Sequence, residues 1–186
     1  MPPNSLPLHA ELLDAMRSPS KDSQNQAFQA LLKATEGPVA WAGEVWDDLL
    51  LTLRDGDNGQ RSIASQVLSN LAKSDPKQRM LKDLAALLKV TQDERFVTAR
   101  HCLQSLWKVG VAGEAQRKAL LKELAVRFEE CASEKNCTLI RYDILVVLRR
   151  VYDFVGDEQI RAAADRLIAT EQDPKYRKKY ATLWRN

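Results

Sequence analysis

Three basic side chains recur at matching places in the sequence and could hold an anionic ligand. Lys73, Lys108 and Arg150 each lie two residues after a leucine that ends an apolar helical stripe. Cations in such a series can follow a phosphate backbone or an acidic peptide. Cations at helix C-termini also complement the helix dipole, which explains the same pattern without any ligand. The pattern leaves both interpretations open.

Catalytic chemistry has little support in the sequence. The only histidines are His9 and His101, and the chain has no HExxH, no glycine-rich phosphate loop and no Gly-x-Ser-x-Gly. His101 could face a groove, but a lone histidine is typically a solvated or hydrogen-bonded side chain. We therefore predict a protein that is not an enzyme and that holds no cofactor and no metal.

One acidic turn invites comparison with a calcium loop. In the segment 55–59, Asp-Gly-Asp-Asn-Gly, an EF-hand would need an oxygen ligand in place of Gly59. It would also need a glycine in place of Gln60 and a glutamate in place of Gln66. The sequence instead predicts that Asp57 caps a helix and that the glycines form the turn.

The three cysteines show no CxxC or other paired spacing. Buried thiols in a reducing compartment are the simplest interpretation of Cys102, Cys131 and Cys137. Cys131 and Cys137 could approach each other across a turn between helices, although nothing in the sequence places them within bonding distance. We expect a cytoplasmic protein, with the nucleus as the alternative in a eukaryote.

The totals describe an ordinary globular chain. Its 186 residues suffice for one domain with a substantial core, and 45% hydrophobic and 28% charged residues are typical values. The net charge of +3 is too small to imply nucleic acid by itself. No apolar run approaches the roughly 20 residues that span a bilayer, so no membrane partner is expected.

Apolar spacing predicts ten helices in five pairs and no strand. One of them is a long helix over Val111–Ala132. Helix starts are predicted where a proline can be the first helical residue or where an aspartate or asparagine can cap the helix. These positions are Pro38, Asp57, Asp75-Pro76, Asp93, Asn136 and Asp173-Pro174. Equivalent leucines then recur at intervals of about 40 residues, which is a helix-pair repeat length. They are Leu68, Leu103, Leu145 and Leu183.

The segments 57–73 and 93–110 share an acidic cap, a small or apolar residue and then Leu-x-x-Leu. This pattern resembles the second helix of HEAT repeats. The family's early Val-Arg pair is replaced here by Arg61-Ser62 and Phe96-Val97, which weakens the case for aspartate–arginine contacts between repeats. The resemblance implies an all-α, right-handed α-solenoid of about five HEAT-like helix pairs in a single domain. That domain would span residues 1–186, with repeats at approximately 6–36, 37–74, 75–110, 111–154 and 155–186.

In such a solenoid the second helix of each pair lines the concave face. The second helices here carry net positive charge, much of it from the last helix, whereas the first helices are net negative. The resemblance thus implies a basic concave face as the binding surface. Its candidate residues are Gln66, Asn70, Lys73, His101, Gln104, Lys108, Val146, Val147, Arg150 and Trp184.

The helix predicted over 138–154 is apolar on nearly every face. A helix of this kind is either buried all round or exposes a patch that needs a partner. Ile140, Val146 and Val147 fall outside the expected core stripe. If exposed beside Arg149 and Arg150, they would suit an acidic or amphipathic helix or peptide.

These features favour a non-enzymatic scaffold or adaptor that binds a protein or peptide along its concave face. Sequence-independent nucleic-acid binding through the same groove is the alternative. A stacking platform for bases needs exposed rings among cations. Trp184, beside Arg185 and near Tyr176 and Tyr180, is the candidate for it.

A less favoured alternative function is that of the alkylpurine DNA glycosylases, which are one branch of HEAT-like proteins. The matching ingredients would be Trp107, Asp143, Arg150 and Trp184. That family's tryptophan and acid lie one turn apart on one helix, whereas Val111 stands one turn after Trp107. Fold analogy alone does not carry the function across.

Overall fold

The computed structural model describes residues 8–185, and these are helical throughout with no strand. The prediction of an all-α chain is confirmed for them; residues 6 and 7 of the first predicted repeat lie outside the described residues, as does the last residue. Two short 3-10 helices cover Ala72–Ser74 and Cys131–Ser133. The α-helices are α1 (Leu8–Met16), α2 (Lys21–Ala34), α3 (Ala42–Asp55), α4 (Asn58–Leu71), α5 (Arg79–Val90), α6 (Phe96–Ser105), α7 (Trp107–Ala112), α8 (Glu114–Glu130), α9 (Cys137–Val155), α10 (Glu158–Thr170) and α11 (Pro174–Thr182).

Two acidic caps lie where the sequence predicts them. Asp57 precedes α4, and its carboxylate accepts from the Gln60 backbone N–H at 2.8 Å while the Gln60 side chain accepts from the Asp57 N–H at 3.0 Å. This reciprocal capping box satisfies two donors that the helix leaves unpaired. Asp173 caps α11 in the same role, with Pro174 as the first helical residue.

Two predicted proline starts are wrong. The helix expected at Pro38 begins at Ala42, and the helix expected at Asp75-Pro76 begins at Arg79. The intervening Gln78 has φ 52°, in the left-handed region, and so breaks the helical path before α5. Asp75 still caps α5, because its side chain accepts from the Met80 N–H on the far side of this turn.

Two hydrogen bonds hold the loops that precede α3 and α5. Asp75 Oδ2 accepts from the Met80 N–H at 2.7 Å, five residues further on. The Val39 N–H donates to Ser74 Oγ at 2.9 Å, across 35 residues. This bond ties the segment after Pro38 to the 3-10 helix at Ala72–Ser74, and α3 begins only at Ala42.

The middle of the chain also differs from expectation. The helix expected from Asp93 begins at Phe96, and the single helix expected over Val111–Ala132 is divided. Its first residues end α7, Gly113 lies in extended backbone, and α8 follows. A break at Leu106 separates α6 from α7, so the described residues form eleven α-helices rather than ten.

The chain divides into two compact units, one ending at Cys102 and the other beginning at Leu103. In the first unit, α1 packs against α2 and α3 against α4. First helices also pack on first helices (α1 on α3, α3 on α5), and α2 packs on α4. The largest fully buried side chains of this unit are apolar: Met16, Leu31, Trp46, Leu49, Leu68, Leu71, Met80 and Leu87.

The second unit follows the same packing rule. Neighbours in sequence pack as α7 on α8, α9 on α10 and α10 on α11, while α8 packs on α10 and α9 packs on both α7 and α11. Tyr180 is completely buried, and its hydroxyl donates to the Thr138 carbonyl oxygen at 2.8 Å. The core of the second unit includes Leu103, Leu106, Leu120, Leu124, Phe128, Ile144, Leu145 and Ile160.

Close packing in the second unit depends on a glycine in α7. A Cβ added at Gly110 would lie 2.7 Å from Val151 Cγ2 and 3.2 Å from Leu120 Cδ2. We expect Gly110→Ala to lower the free energy of unfolding by about 1–2 kcal/mol, because overpacking outweighs the better helix propensity of alanine. Urea denaturation followed by circular dichroism measures this change.

Two further variants make this prediction specific. Val151→Ala removes the clashing methyl groups, so Gly110→Ala should cost less in that background than in the parent protein. Gly43, in α3, has no atom within 4 Å of an added Cβ, and Gly43→Ala should not destabilise. Equal losses for Gly110→Ala with and without Val151→Ala would contradict the assigned contact.

Candidate functional site

A pocket of about 360 Å³ opens in the first unit between the N-terminal ends of α4 and α6. We call it the α4–α6 pocket. Both helices correspond to the second members of predicted pairs, so the pocket lies on the helices that were expected to bind a partner. Its lining residues are Asn58, Gly59, Ser62, Arg95, Phe96, Val97, Thr98 and His101.

Two hydrogen bonds fix the walls of the α4–α6 pocket. Thr98 Oγ1 donates to the Asn58 carbonyl oxygen at 2.9 Å. Ser62 Oγ and His101 Nδ1 lie 2.9 Å apart in a second bond between the two helices. The pocket is therefore shaped by contacts within the protein and is present before any ligand arrives.

The lining of the α4–α6 pocket combines apolar surface with the positive charge of Arg95. The Val97 side chain is 64% exposed, and Phe96 beside it is half-buried. Arg95 and His101 are exposed, and no acidic residue is among the described residues that line the pocket. Asp57 and Asp93 already lie at the N-terminal ends of α4 and α6 and accept backbone N–H groups there, so the positive charge of the lining is that of Arg95. Such a lining favours a ligand that carries both an apolar group and a negative charge.

An ion pair anchors the loop that carries Arg95. Arg61 Nε donates to Asp93 Oδ2 at 2.6 Å, and Arg61 Nη2 donates to Asp93 Oδ1 at 3.1 Å. The Arg95 N–H donates to Asp93 Oδ1 at 2.9 Å. Burial raises the pKa of Asp93, but these hydrogen bonds and the nearby positive charge outweigh it and hold the pKa below its usual 3.8. An aspartate–arginine contact thus joins neighbouring helix pairs, although the replaced Val-Arg pair argued against it.

The ten residues predicted for the concave face differ widely in exposure. Lys73, His101 and Arg150 are exposed, and Gln66, Gln104, Lys108 and Val146 are half-buried. Asn70, Val147 and Trp184 are buried. Of the ten, His101 lines the α4–α6 pocket.

The three buried candidates serve the fold. Asn70 Nδ2 donates to Thr35 Oγ1 at 2.9 Å between α4 and α2, so this amide joins two helices. Val147 is completely covered. Trp184 is 3% exposed and packs on Tyr152, with ring centroids 5.7 Å apart. These three are corrections to the predicted surface, because their side chains face neighbouring helices.

The apolar face of α9 is also largely buried. Ile140 is 4% exposed and Val147 is 0% exposed, while Val146 is half-buried. The hypothesis that all three form an exposed docking patch is therefore wrong. Burial on more than one side explains most of the apolar positions of this helix, whereas Phe154 near its C-terminus is 70% exposed.

Two polar candidates in the first unit bind their own chain. Lys73 Nζ donates to the Glu36 carbonyl oxygen at 2.6 Å, just beyond the C-terminus of α2. Gln66 Nε2 donates to the Ser62 carbonyl oxygen at 3.0 Å within α4. The Lys73 contact is of the kind expected for a cation that satisfies a helix C-terminus. Lys108 and Arg150 belong to the second unit, and their alignment with Lys73 along one groove stays a prediction.

The second unit does not present the residues of the glycosylase alternative as an open site. Asp143 is 2% exposed, and its Oδ1 accepts from Gln104 Nε2 at 3.1 Å. The Arg150 guanidinium lies 5.9 Å from the centroid of the half-buried Trp107 ring. Trp184 is buried, as noted above. The acid that the alternative needs is thus covered and hydrogen-bonded within the protein.

The described residues contain neither a cluster of metal ligands nor a helix suited to crossing a membrane. Within residues 8–185, no group of three or more histidine, cysteine, aspartate or glutamate side chains is placed to hold a metal ion. None of the helices in this part of the chain combines the length and the apolar character that crossing a membrane requires.

Arg95, Phe96 and Val97 are not among the residues that the sequence predicted for binding. A usable signal was present in the adjacent apolar residues Phe96 and Val97. Neighbours in a helix point about 100° apart, so both cannot face the same core. The exposed member is Val97.

Substitution of Asn70 separates a structural role from a binding role. We expect Asn70→Ala to lower the free energy of unfolding by about 1–2 kcal/mol, because a buried hydrogen bond to Thr35 is lost. Gln66→Ala, one turn earlier on α4, should change it by less than about 0.5 kcal/mol, since that amide bonds only within its own helix. Equal losses in urea denaturation would contradict the structural role of Asn70.

Substitution of Asp93 has a pH signature. We expect Asp93→Asn to lower the free energy of unfolding by about 2 kcal/mol at pH 7, because the Arg61 guanidinium loses its charged partner. The pKa of Asp93 is lower in the folded protein than in the unfolded chain. The advantage of the parent protein is therefore complete above about pH 5 and is lost as the pH falls through and below 3.8.

Urea denaturation at pH 7 and pH 3 measures the effect of Asp93→Asn. The matched control is Asp55→Asn, which removes the partner of Arg54 in an exposed pair and should have little effect at either pH. A difference between parent and Asp93→Asn that stays the same from pH 7 to pH 3 would rule out the ionised pair as its cause.

Comparisons of the chain with protein-family models, with curated proteins and with solved structures found no significant match. The resemblance to HEAT repeats therefore stays a prediction. The proposals below rest on the contacts, burial and charges of the described residues.

Proposed function

We propose that this protein is a non-enzymatic interaction module, a HEAT-like scaffold or adaptor that binds a protein or peptide through its second helices. One observation carries the proposal. The α4–α6 pocket places the 64% exposed Val97 and the half-buried Phe96 beside the Arg95 guanidinium and the His101 imidazole. Its walls are fixed by hydrogen bonds, so binding there needs little reorganisation.

The solenoid part of the proposal is supported by packing within each unit. First helices pack on first helices and second on second, as stacked helix pairs require. Side-chain hydrogen bonds also join residues about one repeat apart, at separations of 35 to 42 residues along the chain. Examples are Trp46 Nε1 to Asp83, Asn70 to Thr35, Thr98 to Asn58, Gln104 to Asp143 and Tyr180 to Thr138.

The chemistry of the pocket favours an acidic, partly apolar peptide. Phe96 and Val97 offer apolar area to an aliphatic or aromatic side chain. The Arg95 guanidinium favours a carboxylate close to it, and the His101 imidazole adds a polar group to the same lining. A volume of about 360 Å³ is near the lower end of the usual range for ligand sites, so it accommodates one or two side chains rather than a whole domain surface.

A pair of matched peptides tests this function. We expect a fluorescent peptide with leucine flanked by glutamates to bind at least about ten-fold more tightly than the same peptide with lysines, because only the former complements Arg95. Fluorescence anisotropy at two salt concentrations measures both affinities. Arg95→Glu should remove the preference, and Val97→Glu should weaken binding of the acidic peptide about ten-fold or more.

The control variant for Val97→Glu is Val126→Glu. Val126 is an exposed valine on α8, a first helix, and its substitution adds the same charge at a residue that does not line the α4–α6 pocket. It should leave peptide affinity unchanged. Equal losses for the two variants, or no preference for the acidic peptide, would contradict the proposed site.

Binding of nucleic acid is the alternative function, and it is tested with separate probes. Random duplex and single-stranded DNA and RNA serve as probes at the same two salt concentrations. Micromolar binding that weakens steeply with salt, and that the combined Lys73→Glu, Lys108→Glu and Arg150→Glu variant loses, would favour a nucleic-acid-binding module. That result would replace the peptide-binding proposal.

A further inference from the structure

Two thiols lie side by side at the turn between α8 and α9. Cys131 begins the 3-10 helix after α8, and Cys137 is the first residue of α9. Their Sγ atoms are 3.0 Å apart. A disulfide has an S–S distance of about 2.05 Å, so closing the bond requires the sulfur atoms to approach by about 1 Å.

The backbone of the turn holds this pair in place. The Glu134 N–H donates to the Cys131 carbonyl oxygen at 2.8 Å, and the Cys137 N–H donates to the Glu134 carbonyl oxygen at 3.1 Å. The Glu134 side chain is fixed as well, since Arg127 Nη2 donates to its Oε2 at 3.0 Å. Arg127 itself is only 3% exposed. The thiols are thus brought together by a closed turn that the folded protein already contains.

The two thiols differ in access to solvent. Cys131 is 0% exposed and Cys137 is half-buried. Burial and the adjoining Cys137 together raise the pKa of Cys131 to about 12, so Cys131 is a protonated thiol at neutral pH. A small reagent dissolved in water therefore meets Cys137 first.

We propose that Cys131 and Cys137 form a redox-active dithiol that is reversibly converted to a disulfide by a low-molecular-weight disulfide such as oxidised glutathione. This site shares no residue with the α4–α6 pocket, and its argument does not rest on the proposed function. In a reducing compartment such a pair would be thiols at rest and would respond to a more oxidising environment.

The reaction proceeds by two thiol–disulfide exchanges. The Cys137 thiolate attacks one sulfur of oxidised glutathione, which forms a mixed disulfide and releases one glutathione thiolate that takes up a proton. Cys131 Sγ, already beside the Cys137 sulfur, then attacks that sulfur. The S–S bond to glutathione breaks, the second glutathione leaves, and it takes up the proton that Cys131 gives up. The protein has lost two electrons and two protons, and one disulfide has been reduced to two thiols.

The native protein is tested by equilibration in glutathione buffers of graded ratio. Trapping with an alkylating reagent and mass spectrometry then count the thiols. We expect the number of thiols to fall from three to one, with a Cys131–Cys137 linked peptide in the digest. The thiol that remains is Cys102, which is completely buried and donates to the Leu87 carbonyl oxygen. The same chain in urea should need a buffer that is about ten-fold more oxidising, because it lacks the turn.

Two single variants fix the order of the steps. Cys131→Ser should stop at a mixed disulfide with glutathione on Cys137, because no second thiol completes the exchange. Cys137→Ser should remain fully reduced, because Cys131 is covered. Circular dichroism spectra equal to that of the parent protein show that each variant is folded; if one is not, the linked peptide from the parent protein still decides the question.

Three results would overturn the proposal. The first is native protein that keeps three thiols in buffers that already oxidise the urea-unfolded chain. The second is a linked peptide that contains Cys102. The third is a folded Cys131→Ser variant that takes up no glutathione.

Discussion

The structure depends on one constraint: a pair of short amphipathic helices cannot cover its own apolar stripe, so each pair must be buried by the next. In the first unit this places α3 between α1 and α5, with Trp46 1% exposed. Trp46 brings a polar N–H into that core, and Asp83 Oδ2 on α5 accepts from its Nε1 at 2.9 Å. Apolar burial supplies the attraction between neighbouring helices. Polar pairs of this kind set how the helices align, because an unpaired buried donor is costly.

Local sequence signals predicted the parts of the fold that local physics decides. The capping box at Asp57 and the proline start after Asp173 need only a few neighbouring residues, and both are present. The start expected at Asp75 failed because Gln78, in the left-handed region, ends the turn before α5 begins. Asp75 then caps from five residues away. The sequence offers the same aspartate–proline pair at Asp75-Pro76 and at Asp173-Pro174. A short window around each pair therefore does not show that one helix begins directly at its proline and the other begins three residues later.

The candidate site was predictable at the level of helices and not at the level of side chains. Helical period places Asn70, Val147 and Trp184 outside their leucine stripes, yet all three are buried. The period describes one helix and a single covered face. In both units a helix has neighbours on more than one side, so positions beside the stripe are covered too. Which of them remain exposed depends on the size and spacing of side chains from other repeats, and the sequence of one helix does not contain that information.

Several polar residues that looked suited to a ligand already bind the protein itself. Gln66, Lys73 and Gln104 donate to partners within the chain. A side chain used in this way must give up a hydrogen bond to bind a ligand, which reduces the net gain. Val97 has no polar bond to lose, and covering it on binding releases water from apolar surface. One exposed valine is ordinary on a protein surface. At the mouth of a preformed pocket, beside Phe96 and Arg95, it would give the proposed partner contact area with the least disruption of the fold.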